Sequence, residues 1–148
     1  MSSTHTCLLY HVVFATKERR PWLDATIRPR VHGYLNSMVQ QNNAIALAVG
    51  GVEDHVHLLL HLHQSHALAS FVRDLKAGSS RWIHESLGLP LFGWQAGYGA
   101  FTVSASQKDR VARYIENQAE HHAKHSFRQE LEALLHAHGI EYDPQYLD

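Results

Sequence analysis

The feature that most constrains this chain is a run at residues 54–63 in which histidines and leucines alternate. In a β-strand, successive side chains point to opposite faces of the sheet. One face of this run is then an unbroken apolar row, made of Val56, Leu58, Leu60 and Leu62. The opposite face carries Leu59 and four imidazoles, those of His55, His57, His61 and His63. Because every buried imidazole needs hydrogen-bond partners, packing alone does not explain this face, and we interpret it as a site.

The length and composition predict one globular domain. A chain of 148 residues can bury most of the surface that it exposes when unfolded, and 45% of its residues are apolar against 18% charged. The apolar runs are too short to span a membrane, and the polar residues 1–6 do not resemble a signal peptide. The single cysteine, Cys7, excludes an intramolecular disulfide framework. We expect a single domain over residues 1–148, with its core at about 8–140, in the cytoplasm and away from membranes.

The charge balance argues against non-specific binding to nucleic acids. The chain has 13 basic and 14 acidic residues, for a net charge of −1 with its 14 histidines neutral. A few local cations could still grip the phosphates of a short strand. The candidates lie in a polar loop and in the second predicted helix, and they are Lys17, Arg19, Arg20, Arg73, Lys76 and Arg81.

The order of predicted elements indicates an α+β fold. Apolar periodicity and turn residues predict strands at 8–15, 44–49, 56–63 and 100–104, and helices at 27–42, 67–87, 106–122 and 127–138. Strand, helix, strand, strand, helix, strand is the order of the split βαβ, ferredoxin-like plan. In this plan the first two helices cover the apolar face of an antiparallel sheet. The histidine face is left for the third helix, or for a ligand.

Two short patterns bring chemistry to that face. His55 and His57 lie at positions i and i+2 of a strand, with Cβ atoms about 7 Å apart, which suits two ligands of one metal ion. Tyr114 and Gln118 lie at positions i and i+4 of the third helix and therefore side by side. If this helix crosses the histidine face, it brings a phenol and a carboxamide to the two imidazoles. Either pattern alone is common, whereas the two together in this order are much more specific.

These residues resemble those of the single-tyrosine HUH transposases, where HUH stands for His–hydrophobic–His. The group includes the small insertion-sequence transposases called TnpA and the REP-associated tyrosine transposases. The resemblance rests on His55-Val56-His57 and on Tyr114 with Gln118 four residues later. The stretches 10–17 (YHVVFATK) and 94–101 (WQAGYGAF) also look like that family. The resemblance extends over nearly the whole chain, from about residue 8 to residue 140.

The resemblance implies a dimeric enzyme that cleaves and rejoins single-stranded DNA, often at hairpin ends. His55, His57 and Gln118 would hold a divalent cation, Mg²⁺ or Mn²⁺, that polarises the scissile phosphate. Tyr114 would attack that phosphate and form a 5′-phosphotyrosine link. Asp54 and His121 are further candidates for places beside the metal, since one precedes the histidine pair and the other follows Gln118.

Three other functions agree with the same residues. A non-catalytic module could bind single-stranded nucleic acid on an open sheet, although such modules carry aromatic residues where this chain has histidines. A histidine-rich metal-binding protein would ignore oligonucleotides. A domesticated relative of the transposases would process genomic repeats and mobilise nothing. The sequence does not indicate which hairpin is recognised, or whether Tyr114 serves its own subunit or the partner.

Overall fold

A computed structural model describes residues 3–147 as a four-stranded sheet with helices on both faces. The strands are β1 (Leu8–Ala15), β2 (Ile45–Gly51), β3 (His55–Leu62) and β4 (Gly99–Val103). The helices are α1 (Arg28–Gln41), α2 (Leu68–Ser86), α3 (Lys108–Glu116), α4 (Gln118–His122) and α5 (Phe127–Ala137). Short 3₁₀ turns span Lys17–Arg19, Ala105–Gln107 and Pro144–Tyr146. None of the described helices is long and apolar enough to cross a membrane.

The strand order confirms the predicted ferredoxin-like α+β plan. The sheet reads β2-β3-β1-β4, and each neighbouring pair of strands is antiparallel. Strand β3 therefore lies between β1 and β2, which is the insertion that defines a split βαβ unit. Except in the third predicted helix, the ends of the elements lie within two residues of the predicted ones, which is the usual uncertainty of helix and strand ends.

The apolar face of the sheet packs against α1 and α2. Leu58 and Leu60 of β3 meet Leu35 of α1 and Leu75 of α2 in one cluster, and all four are at most 1% exposed. Burying a leucine side chain stabilises the fold by roughly 1.5–3 kcal/mol. This face holds the largest apolar cluster of the described residues. The fold therefore depends less on apolar packing at the opposite face, which can carry polar side chains.

The opposite face lies under α3, α4 and α5. Leu59 packs with Ile115 of α3, while Phe127 of α5 packs with Phe101 of β4. The sequence predicted that α3 or a ligand would cover this face, and it left α5 unplaced. In the structure, α5 also contributes to the cover, and the imidazoles of His11, His55 and His57 are buried beneath these helices.

Helix α3 touches the sheet at a glycine. A Cβ atom placed on Gly50 would lie 2.1 Å from the carbonyl oxygen of Ile115, far inside contact distance. Gly50 pairs with His57 across the β2–β3 ladder. The absence of a side chain at Gly50 therefore lets the backbone of α3 come down onto the strand pair that carries the histidines.

The third predicted helix is interrupted. The sequence predicted a continuous helix over 106–122, but the structure divides it at Asn117, whose φ and ψ are −101° and 27°. Asparagine tolerates non-helical backbone angles and stabilises a helix interior poorly, which accounts for a break at this residue. Tyr114 therefore lies in the last turn of α3, and Gln118 is the first residue of α4.

Candidate active site and metal centre

The two histidines of the HUH motif are held from behind. Neither His55 nor His57 is exposed, and both stand at the start of β3. Nδ1 of His55 lies 2.7 Å from Oδ1 of Asp54, and Nδ1 of His57 lies 2.7 Å from Nε2 of His11. A partner on Nδ1, here called the rear nitrogen, fixes the orientation of an imidazole that binds a metal through Nε2. The Nε2 atoms of both rings are then directed to the space under α4 and α5.

A carboxylate and a third imidazole meet these Nε2 atoms. Oε1 of Glu130 lies 3.2 Å from Nε2 of His55 and 2.9 Å from Nε2 of His57. The same oxygen lies 3.1 Å from Nε2 of His122, whose Nδ1 is 2.6 Å from the carbonyl oxygen of His125. One ligand atom from each of the four residues His55, His57, His122 and Glu130 lies within 4.8 Å of the others, as a metal centre requires.

The structure brings Tyr114 and Gln118 to the same place. The Tyr114 hydroxyl donates a hydrogen bond to Oε2 of Glu130, and its ring centroid lies 5.8 Å from that of His57. Oε1 of Gln118 lies 3.2 Å from Nε2 of His55, and its amide donates to the carbonyl oxygen of Tyr114 at 3.3 Å. The phenol, the carboxamide and the two imidazoles predicted from the sequence are therefore neighbours around the Glu130 carboxylate.

The hydrogen bonds fix how protons are distributed in this arrangement. Burial would raise the pKa of Glu130, but the hydrogen bonds from His122, His55 and His57 lower it well below its usual range. An ionised Glu130 accepts from Nε2 of His57, so Nδ1 of a neutral His57 accepts from Nε2–H of His11. Burial keeps both of these rings neutral, because it lowers the pKa of His57 and lowers that of His11 to about 3.

Glu130 raises the pKa of both His55 and Tyr114, which favours a charged imidazole and a neutral phenol. Burial disfavours a charged His55, but hydrogen bonds to Asp54 and Glu130 outweigh it and raise the pKa of His55 to about 9. Burial and the Glu130 carboxylate raise the pKa of the Tyr114 phenol above its usual value. The described arrangement therefore holds Tyr114 as a neutral phenol, which is a weak nucleophile.

A cleft opens beside the tyrosine. It has a volume of about 760 Å³ and lies among β4, α3 and α5. Tyr114 and Glu130 line it together with Phe101 of β4, and Arg110 of α3 supplies a cation. A chain that entered this cleft would reach the Tyr114 hydroxyl and the cluster of ligand atoms from one side.

Asp54 and His121, the two further residues predicted to lie beside a metal, differ in their placement. Asp54 is partly buried and binds His55 from behind, as a group that orients a metal ligand would. Nε2 of His121 lies 3.4 Å from Oε2 of Glu130, on the tyrosine side of that carboxylate. His122, rather than His121, places its Nε2 in the four-residue cluster. His61 and His63 lie outside that cluster, and Nδ1 of His63 binds the Ser65 hydroxyl at 2.8 Å.

Three of the six predicted DNA contacts share one groove. Lys17, Arg73 and Lys76 line a groove of about 560 Å³ together with Trp94 and Tyr98. Lys76 also has a structural role, because its Nζ donates to the carbonyl oxygens of Gln95 and Gly97 at 2.7 and 2.6 Å. The indole of Trp94, which lines this groove, also packs edge-on against the ring of Phe14 and is partly buried against the main core.

The other three cations are scattered. Arg19 places its guanidinium carbon 5.9 Å from the centroid of the Phe127 ring, near the histidine face. Arg20 is paired with Glu18 at 3.0 Å, and Arg81 is exposed on α2. The six candidates therefore do not form one basic surface.

The sequence reasoning missed Glu130 and passed over His122 in favour of His121. A signal for Glu130 was present, since apolar residues at helical spacing mark the inner side of α5, and Glu130 interrupts that stripe of Phe127, Leu131, Leu134 and Leu135. A carboxylate among core positions needs a buried partner. His122 follows Gln118 by four residues on α4 and so shares its face.

Comparison with known proteins identifies the family. The pattern that defines the IS200-like transposases matches residues 4–118. The ISDra2 transposase TnpA of Deinococcus radiodurans is 30% identical over 117 residues, which cover 75% of this chain and 84% of that protein. The transposase for insertion sequence element IS200 of Salmonella typhimurium is 31% identical over 117 residues, which cover 75% of this chain and 76% of that one.

Solved structures agree with the sequence relatives. A crystal structure from D. radiodurans, described as that of a transposase, has a TM-score of 0.67 at 29% identity, covering 80% of this chain and 95% of its own. The structure of a REP-associated tyrosine transposase bound to a REP hairpin shares the fold, with a TM-score of 0.56 at 16% identity, covering 78% of this chain and 70% of its own. By fold, sequence and motif, the chain belongs to the IS200-like transposase family.

Proposed function

We propose that the protein is a metal-dependent transposase that cleaves and rejoins single-stranded DNA through a covalent link between Tyr114 and a 5′-phosphate. The observation that carries this proposal is the convergence at one carboxylate. One Glu130 oxygen contacts the HUH imidazoles and the other contacts the Tyr114 hydroxyl. One carboxylate group thus spans the distance between the ligand atoms and the Tyr114 hydroxyl. A phosphate group, which also presents two oxygens on one atom, is of similar size.

In the proposed reaction, the Tyr114 oxygen attacks phosphorus and the bond to the 3′-oxygen of the preceding nucleotide breaks. The phenol loses its proton and the departing 3′-oxygen gains one, so the link conserves the energy of the phosphodiester. Attack by the free 3′-hydroxyl on this link reverses the step without ATP. A divalent ion on His55, His57 and Gln118, the set that the family resemblance implies, would offset charge on the phosphate. Asp54 and His11 keep the two imidazoles aimed at that place.

The expected DNA partner is a single strand with hairpin ends, and the expected assembly is a homodimer. A REP-associated tyrosine transposase of the same fold was solved with a REP hairpin, which supports the choice of substrate. The cleft beside Tyr114 and the groove lined by Lys17, Arg73 and Lys76 are the candidate paths for the strand. Sedimentation of the protein with and without a hairpin oligonucleotide tests the dimer, and a mass of one subunit in both samples would contradict it.

Covalent capture of DNA tests the reaction. Hairpin oligonucleotides taken from the DNA that flanks the gene are incubated with Mn²⁺ or Mg²⁺ and the protein, and the products are separated on a denaturing gel. We expect a DNA-linked protein band that is lost in Tyr114→Phe and His57→Ala. The matched control is Tyr34→Phe, which removes a hydroxyl from a ring stacked on Trp82 in the opposite layer and should keep the band. A band that persists in Tyr114→Phe would refute the assigned nucleophile. Binding without any band would indicate a recognition module.

A further inference from the structure

Helix α5 closes the site with a buried charge. The side chain of Glu130 is 1% exposed, and its two oxygens contact different groups. Oε1 lies within 3.2 Å of the Nε2 atoms of His55, His57 and His122. Oε2 accepts from Tyr114 and lies 3.4 Å from His121. The Glu130 carboxylate therefore lies between the imidazole nitrogens and the Tyr114 hydroxyl. In the proposed reaction, the scissile phosphate has to occupy this same position.

We propose that His55, His57, His122 and Glu130 form a four-ligand transition-metal site in the DNA-free protein, and that Glu130 yields its place to the scissile phosphate when DNA enters. The first half concerns the protein alone. The second half rests on the proposed function, since it requires a phosphate to arrive between the ligands and Tyr114.

The geometry and donor set support the metal site. Donors bound at about 2.1 Å around one ion in tetrahedral geometry lie about 3.4 Å apart. The distances from Glu130 Oε1 to the three imidazole nitrogens, 2.9–3.2 Å, are close to that spacing. Three imidazoles and one carboxylate favour Zn²⁺ or Mn²⁺ over Mg²⁺, which prefers oxygen donors and retained waters. The rear nitrogens of all three imidazoles already have partners, in Asp54, His11 and the His125 carbonyl.

The need for an open coordination position supports the exchange. A site with four protein ligands is closed, whereas a catalytic site keeps a position for substrate. Glu130 is the ligand whose departure also frees Tyr114, because its second oxygen holds that hydroxyl. A carboxylate and a phosphodiester each present two oxygens on one atom and one negative charge. Gln118, whose Oε1 lies 3.2 Å from Nε2 of His55, remains as a neutral donor after Glu130 leaves.

The family match and the four-residue cluster overlap only in part. The match to IS200-like transposases covers residues 4–118 and so includes His55, His57, Tyr114 and Gln118. His122 and Glu130 lie beyond it. The apolar residues of α5, beginning at Phe127, pack in a cluster that is separate from the main core on the other face of the sheet.

A metal titration separates this site from the one that the resemblance implies. The affinities for Mn²⁺ and Zn²⁺ are measured without DNA, by competition with a chromophoric chelator. We expect Glu130→Ala and His122→Ala each to weaken binding at least ~10-fold. Glu132→Ala, on the same helix and paired with Arg128 at 3.1 Å, should bind as the wild type does. Unchanged affinity in both Glu130→Ala and His122→Ala would overturn the proposal. If Glu130→Ala does not fold, the isosteric Glu130→Gln replaces it.

The exchange is tested at saturating Mn²⁺ by the rate at which DNA becomes linked to protein in a single turnover. Removal of Glu130 should raise this rate several-fold, because the substrate no longer competes with a built-in carboxylate. A loss of the covalent product in Glu130→Ala at saturating metal would refute the exchange and make Glu130 a permanent ligand. If the wild type itself forms no product, the proposed function fails, whereas the metal titration still decides the first half.

Discussion

Replacing Gly50 by alanine should move Tyr114, the proposed nucleophile, away from the histidines while leaving every proposed site residue unchanged. The new methyl carbon would lie 2.1 Å from the Ile115 carbonyl oxygen and 2.9 Å from its carbon. Since a tolerable contact needs about 3.2 Å, α3 has to retreat by about 1 Å. Ile115 is adjacent to Tyr114, and Gly50 is paired with His57, so the retreat lengthens the distance between the reacting groups.

The expected magnitudes follow from this displacement. Overpacking costs ~1–3 kcal/mol of stability, which at this chain length lowers Tm by roughly 3–10 °C. A misplacement of about 1 Å in the reacting geometry costs on the order of 100-fold in rate. The rate of covalent DNA linkage should therefore fall about 100-fold in Gly50→Ala, measured at a temperature well below the melting transition of the variant.

The matched control is Gly33→Ala. A Cβ at Gly33 meets nothing within 4 Å, and this residue lies inside α1 on the far layer of the molecule. This change should stabilise the helix by roughly 0.5–1 kcal/mol and leave the linkage rate unchanged. If Gly50→Ala lost stability but kept the wild-type rate, the close approach of α3 to β2 would not set the position of Tyr114.

Other variants test the supports of the site and the fold. Asp54→Asn should weaken metal binding ~10–100-fold in the chelator competition, because the rear nitrogen of His55 loses its charged partner; equal affinities would contradict this. Burial, reinforced by the charge of Arg28, lowers the pKa of His32 to about 4. The folded state therefore favours neutral His32. The resulting contribution to the free energy of unfolding is fully present above pH ~6.5 and is lost as the pH falls towards 4. Nε2 of His32 has no hydrogen-bond partner among the described residues. In urea unfolding, the loss of unfolding free energy between pH 7 and pH 4 should therefore be smaller in His32→Phe than in the wild type, by up to about 3 kcal/mol. An equal loss in both proteins would contradict this. Lys76→Met should lower Tm without DNA, since Nζ holds two carbonyls, whereas the exposed Arg73→Gln should change only DNA binding; a matching loss of Tm in both would refute the distinction.

Most of the fold could be predicted because short-range sequence patterns determine it. The alternation at 54–63 and the helical spacing of apolar residues fix which faces are buried, and element order then limits the topology. His55 with His57, and Tyr114 with Gln118, are likewise pairs within one element. Their roles stay predictions, but the structure places all four together.

The rest of the site depends on contacts between distant elements. Glu130 meets His57 across 73 positions, and nothing local distinguishes it from Glu132, which forms an i, i+4 pair with Arg128. Only the apolar stripe around it signalled burial. His122 shares the face of Gln118 within α4, whereas the sequence prediction carried one helix through Asn117 and chose His121. Helix propensity makes a break near Asn117 reasonable but does not locate it.

The site joins parts of the molecule that differ in how readily they open. Strands β1 and β3 are the two central strands of the sheet, so their amides should exchange with solvent only on global unfolding. Helix α5 packs through a smaller apolar cluster than the main core and through Glu130, so we expect it to open more readily than the central strands. An ion bound by both His57 and Glu130 would link α5 to β3. Hydrogen exchange in α5 should then slow with free metal concentration, while exchange in β3 stays constant.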